Sequence, residues 1–319
     1  MGESSMLKDA VELPVIAAPM FLVSGTEWVI ETCKQGVIGT FPLLNARTGE
    51  ALEEWMTEIK TELEKAKEEN PDQKIAPWGV NLIVHKSNAR YEEDLERIRH
   101  FQPPLVITSL GNPTPVVDVV HSYGGKVYSD VITTKHAKKA ASVGVDGLIL
   151  VCAGAGGHGG LLNPMAFISE VKQFFDGTVV LAGCISNGNE VLAAEILGAD
   201  FAYMGTRLIA TNESMADDGY KEMLINSKVD DILYTNAISG VNANFLVPSM
   251  QAAGLDPANL QPAGEYDANR SRREAKSWKD IWSAGQGVTS VNHISSLKET
   301  IDELKTEYKQ AIDVTAAKR

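Results

Sequence analysis

Cysteine is scarce in this 319-residue chain: Cys33, Cys152 and Cys184 are far apart and form no CxxC pair. Neither a disulfide framework nor a structural zinc site finds support in that spacing. Basic residues are also few. Lys plus Arg number 29 against 42 for Asp plus Glu, so the net charge is −13, the wrong sign for a phosphate-backbone binder. No run of about 18 apolar residues occurs, and the start lacks a basic segment leading into an apolar one. Neither membrane spanning nor secretion is expected, and the reducing cytoplasm is the expected compartment. A Walker A pattern, a GxGxxG after a first strand, HExxH and paired His-carboxylate spacings are all missing, so no metal is expected. The 44% apolar and 22% charged fractions are those of a folded chain, which excludes wholesale disorder.

Against these absences stands a rhythm. Short apolar, β-branched runs ending in Gly, Pro, Asn or Ser recur at Val15 to Ala18, Val37 to Gly39, Trp78 to Asn81, Leu105 to Ser109, Lys126 to Asp130, Gly147 to Val151, Val179 to Ala182 and Phe201 to Met204. Runs such as LVIT, LILV and VVLA hardly alternate, as strands covered on both faces of a parallel sheet require. Amphipathic segments lie between them: Glu50 to Glu69 carries Leu52, Trp55, Met56, Ile59 and Leu63 at helical spacing. Eight such units predict an α/β fold, a (β/α)8 TIM barrel of about 250 residues, with an open doubly wound sheet as the alternative. The rhythm stops after Met204. Residues 212–290 are expected to form a small, mostly helical inserted subdomain or lid, with 1–211 and 291–319 making the barrel and Ser295 to Ala311 a closing helix.

The ends of barrel strands carry the chemistry of this fold. Ala18, Pro19, Met20 and Phe21 follow the first run, Asn81 ends the third, and Ser129 lies in the fifth. Ala182, Gly183 and Cys184 end the seventh, while Met204, Gly205 and Thr206 end the eighth. Glycine lets backbone N–H groups approach an anion, and a following helix start favours it further, so these last two turns are expected to hold a phosphate. The turn after the sixth run, Gly154 to Gly160, holds five glycines and one histidine. That much backbone freedom around one imidazole makes His158 the candidate acid–base group. His85, His100, His121, His136 and His293 lack such a setting and are read as structural or exposed, and Cys152 and Cys184 as small buried residues without a basic helper.

These residues form a familiar set. APM at Ala18 to Met20, GVN at Gly79 to Asn81, AGGHGG at Ala155 to Gly160, AGCI at Ala182 to Ile185, MGTR at Met204 to Arg207 and WSAGQG at Trp282 to Gly287 resemble the nitronate monooxygenase family over residues 13–290. The resemblance implies an FMN-dependent oxidoreductase that oxidises alkyl nitronates, or nitroalkanes, with O2 to a carbonyl compound and nitrite. It implies that Ala18 to Phe21 line the flavin ring, that Asn81 and Ser129 hydrogen-bond it, and that Gly183, Cys184, Gly205 and Thr206 hold the phosphate. Cys152, Gly156, Gly157, Ala182 and Met204 complete the cofactor-binding set, and His158 matches the catalytic histidine. Two departures stand out: Cys152 occupies a position where a flavin-contacting Gln is expected, and Cys184 replaces a glycine. An FMN-dependent NAD(P)H enoyl-thioester reductase shares the GGH loop and is the alternative. A flavin-free phosphate-binding isomerase or lyase is the second. The partner expected is a small molecule, nitronate or enoyl-type, with O2; no nucleic acid or membrane is expected, and homo-oligomerisation stays open.

Overall fold

The computed structural model describes residues 5–261, 264 and 279–318. Eight parallel strands close into a barrel: β1 (Val15–Ala17), β2 (Ile38–Pro42), β3 (Trp78–Ile83), β4 (Leu105–Ser109), β5 (Lys126–Val131), β6 (Gly147–Val151), β8 (Thr178–Ala182) and β9 (Phe201–Met204). Closure comes from β1, which pairs with β2 on one side and β9 on the other. All eight expected runs are strands, and the open sheet is excluded.

Alternation along the strands sorts side chains into two layers. Ile16, Ile38, Leu105, Ile107, Tyr128, Ile149, Val180 and Phe201 fill the barrel interior. Their neighbours Ala17, Val106, Val127, Leu148, Leu150 and Ala202 pack outward against the helices. Helix α3 (Gly49–Glu69) shows why the intervening segments fold: Leu52, Met56, Ile59, Leu63 and Ala66 bury one stripe, and the Thr48 hydroxyl caps the first turn by accepting from the Ala51 amide. The closing helix α12 (Leu297–Ala317) begins at a capping box of Ser296 and Glu299.

The segment expected as a helical insertion contributes α10 (Asp218–Asn226) and α11 (Val247–Ala252), and also two strands that the sequence reading did not foresee, β10 (Ile232–Thr235) and β11 (Ala243–Leu246). Residues 262–263 and 265–278 of it lie outside the described residues, as do 1–4 and 319. The strands matter because β11 pairs with a two-residue strand inside the glycine turn, β7 (Gly157–His158), through Ala243↔His158 and Asn244↔Gly157. Rather than merely covering the mouth, this segment grips the turn that carries the histidine.

Candidate active site at the glycine-lined barrel mouth

A cavity of about 680 Å³ opens at the C-terminal ends of the strands, within the range of roughly 300–1,000 Å³ usual for small-molecule sites. Ala18, Pro19, Met20, Phe21, Asn81, Ser129, Gly156, Gly157, His158, Ala182, Gly183, Cys184, Gly205 and Thr206 all border it. Cys152 and Met204 do not. Both are fully buried in the layer between strands and helices, because the pleat turns Val151 and Tyr203 into the barrel and therefore the next residue out. Cys152 Sγ donates to the Leu150 carbonyl at 3.3 Å, and burial pushes its thiol up to about 12.

Ser129 needs a similar correction. It borders the cavity, but it shares a strand face with the outward-packed Val127 and Val131, and its hydroxyl accepts from Thr108 Oγ1 at 3.1 Å. Its neighbour Asp130 is the inward side chain, hydrogen-bonded at Oδ2 by the Ser109 hydroxyl at 2.6 Å. Burial lifts that carboxyl to about 6, with the Ser109 hydrogen bond opposing the shift. Asp130 stands beside Ser129 at the end of the fifth run but was not expected in the site, and Ser109 and Tyr203 were not singled out, because the sequence does not show which face each strand-end residue occupies.

Three backbone segments meet where the β6, β8 and β9 turns border the cavity. The Gln286 amide donates to Gly154 O at 2.8 Å and the Gly285 amide to Thr206 Oγ1 at 2.9 Å. A Cβ on Gly156 would sit 2.8 Å from Gly285 N, and one on Gly285 would sit 2.7 Å from Gly154 O. The glycines of the sixth turn and of WSAGQG thus permit a contact that side chains would block. Cys184, expected as a small buried residue, is exposed; it stands in the left-handed region at φ 59°, with Sγ 3.7 Å from Ala153 O and 3.8 Å from Gln286 Oε1, and partial desolvation with the nearby Glu190 raises its thiol pKa. The helix start after β8 is taken: in α8 (Gly188–Leu197) Asn187 is the cap, and Glu190 accepts from the amides of Ser186 and Asn187. An anion here must therefore rely on the turns at Gly183–Ile185 and Gly205–Thr206, not on the α8 dipole. Arg207 of the MGTR run is committed elsewhere, to Glu303 of α12 at 2.7 Å.

The histidine turn is clamped from several sides. Gly157 N donates to Ser283 Oγ at 2.6 Å, Ser283 Oγ to Asn244 O at 2.6 Å, and Asn244 Nδ2 to Ala155 O at 2.7 Å. Tyr234 OH donates to Gly159 O at 2.9 Å, and Tyr220, stacked on Trp282, donates to Ser283 O. His158 Nε2 lies 3.1 Å from Ser239 Oγ, which also lies 3.0 Å from Val241 O. Which atom donates in the Nε2–Oγ contact depends on the tautomer of the ring. Desolvation pulls the imidazole down to about 4, which keeps it neutral at physiological pH. Trp282 and Ser283 belong to the WSAGQG run, but Tyr220, Tyr234, Ser239 and Asn244 carried no sequence signal; β11 places Asn244 by a pairing over long sequence distance.

Comparison with known proteins agrees with this architecture. The nitronate monooxygenase family model matches residues 4–307. A nitronate monooxygenase of Paraburkholderia phytofirmans is 28% identical over 230 residues, 66% of this chain and 63% of that protein. A (3aS,4S,5R,7aS)-5-hydroxy-7a-methyl-1-oxo-octahydro-1H-indene-4-carboxyl-CoA dehydrogenase of Rhodococcus jostii is 28% identical over 234 residues, 72% of this chain and 62% of that protein. The matched region thus spans less than two thirds of the length of these two relatives. Among solved structures, FabK from Thermotoga maritima has a TM-score of 0.80 at 22% identity over 100% of both chains. Nitroalkane oxidase from Streptomyces ansochromogenes has 0.80 at 20% identity over 97% of this chain and 99% of that one. These likenesses establish the TIM-barrel fold, and no helix among the described residues is long and apolar enough to cross a membrane. The family model spans nearly the whole chain, and the chain belongs to the nitronate monooxygenase family of oxidoreductases.

Proposed function

We propose that the protein is an FMN-dependent nitronate monooxygenase that converts alkyl nitronates, and nitroalkanes after loss of a proton, to a carbonyl compound and nitrite with O2. The observation that carries this reading is the His158–Ser239 pair, which holds a neutral imidazole on the wall of a cavity beside the glycine cradle of the neighbouring β8 and β9 turns. The cradle fits a phosphate on its own geometry. Gly183 has φ 120°, and a Cβ on Gly205 would lie 3.3 Å from Met20 Sδ, so added side chains would crowd the approach to the backbone N–H groups. Gly183, Cys184, Gly205 and Thr206 would hold the phosphate, and Ala18 to Phe21 would flank the ring. When bound, FMN takes electrons from the substrate and delivers them to O2.

The residues of the chain do the rest. The His158 imidazole accepts the α proton of a nitroalkane, and the contact with Ser239 helps to hold the ring in place. For a substrate already ionised, the same imidazole positions the nitronate. The clamp from β11 and Ser283 fixes the ring, and the enclosed wall limits water. We take residues 212–290 as the unit that supplies this clamp.

A second reading is favoured by the cavity rim, where Lys139 and His136 stand exposed in a chain of net charge −13. Such a rim suits an anionic thioester and a reductase or dehydrogenase reaction, as in the name of the Rhodococcus jostii relative.

Anaerobic mixing separates the two. Bleaching of the flavin band by propionate 3-nitronate and not by NADH or NADPH is the expected result; bleaching only by a pyridine nucleotide would overturn the monooxygenase reading. His158→Ala should retain FMN and lose roughly 10²–10⁴-fold in turnover on a neutral nitroalkane, with a smaller loss on the preformed nitronate.

A further inference from the structure

In the ring of eight strands, β3 and β4 lie opposite β8 and β9, so a ligand anchored by phosphate at the Gly183 and Gly205 turns reaches across the mouth towards Asn81, Ser109 and Asp130. Both amide hydrogens of Asn81 are engaged, one by Ser109 Oγ at 2.7 Å and one by Ile107 O at 3.3 Å. Ser109 passes its hydroxyl hydrogen to Asp130 Oδ2 at 2.6 Å. Asp130 borders the cavity, yet its second oxygen, Oδ1, is buried with no hydrogen-bond partner among the described residues. An unpaired buried carboxylate oxygen is costly and calls for an explanation, and a donor brought by a ligand is one. The terminal torsion of Asp is broad and two-fold, so rotation about it can present an oxygen to the cavity that Asp130 borders.

We propose that Asp130, rather than Ser129, is the group that binds the polar end of the flavin ring, with one carboxylate oxygen accepting the ring's imide N3–H. This rests on the FMN reading above. The carboxyl, at about 6, is mostly ionised at pH 7.5 and suited to accept. Ser109 holds Asp130 in place from β4. The polar side chain missing from the end of β6, where Cys152 faces outward, is thereby supplied from the neighbouring strand β5, which pairs with β6 at Asp130↔Ile149.

The test compares FMN with N3-methyl FMN, which lacks the N–H, by titrating cofactor-stripped protein and following flavin fluorescence. Wild type should prefer FMN by about tenfold or more, as expected for a charge-assisted hydrogen bond. Asp130→Ala, which removes the acceptor and opens space, should cut that preference to near unity, and Asp130→Asn should leave an intermediate value. In both variants the reduction potential of bound FMN should move to a more positive value, because a negative charge beside the ring opposes its reduction. If both variants bind FMN and keep the wild-type preference and potential, Asp130 does not contact the imide and the proposal fails while the flavin reading stands. If wild type binds neither flavin, the flavin reading itself fails. Should Asp130→Ala not fold, the near-isosteric Asp130→Asn decides through the same two readouts.

Discussion

The Nε2 atom of His158 lies 3.1 Å from the Ser239 hydroxyl, which itself donates to the Val241 carbonyl. That contact makes Ser239 a positioning residue for the imidazole. Ser239→Ala should lower turnover on a neutral nitroalkane by about tenfold, less than loss of the base itself. It should also shift the acid limb of the kcat/KM profile, which a purely structural role would leave in place. An unchanged limb in the variant would remove Ser239 from that role.

Acid sensitivity of folding should carry two opposite signatures. His158 titrates near 4 in the folded protein and near 6.5 unfolded, so the unfolded chain binds the extra proton between those values and stability falls as pH drops through that window. Asp130, raised from 3.8 to about 6, does the reverse: the folded state binds the extra proton, and stability is lost as pH rises through 6. The change in denaturation midpoint of cofactor-stripped protein from pH 4.5 to pH 7 should therefore shift towards lower stability at pH 7 in His158→Gln, and towards higher stability at pH 7 in Asp130→Asn, relative to wild type.

Gly154 and Cys184 should be coupled. A Cβ on Gly154, at φ 81°, would come 2.3 Å from Cys184 Sγ and 2.8 Å from Gln286 Oε1. Gly154→Ala is expected to cost about 1–3 kcal/mol. Cys184→Gly removes the clashing sulfur and relieves a non-glycine residue at φ 59°, so the double variant should recover part of the loss. Simple additivity in a denaturation cycle would contradict the proposed contact.

Gly205→Val probes the cradle. Its new Cβ meets only the flexible end of Met20 at 3.3 Å and Ala18 Cβ at 3.7 Å, so the fold should survive. The side chain would instead occupy the anion's approach path, and FMN affinity should fall by about tenfold or more. A thermal melt and an FMN titration separate the two effects.

The barrel was legible because eight buried parallel strands print themselves as short apolar runs, and the strand ends marked most of the cavity wall. Which residue of each pair faces inward was not legible. In LILVC, VYSDV and FAYM both faces are buried, so hydrophobicity carries no alternation to read, and Cys152, Ser129 and Met204 were chosen where the pleat presents Val151, Asp130 and Tyr203. The grip of β11 on the histidine turn was hidden for another reason. Its partner β7 is two residues long and lies more than eighty residues away, beyond any local pattern.

The most direct measurement is a crystallographic map of the FMN-loaded protein. The phosphate is expected between the Gly183–Ile185 and Gly205–Thr206 turns, the ring across the mouth, and the His158 imidazole facing it with Nε2 on Ser239. Phosphate density elsewhere, or an imidazole turned away from the ring, would contradict it.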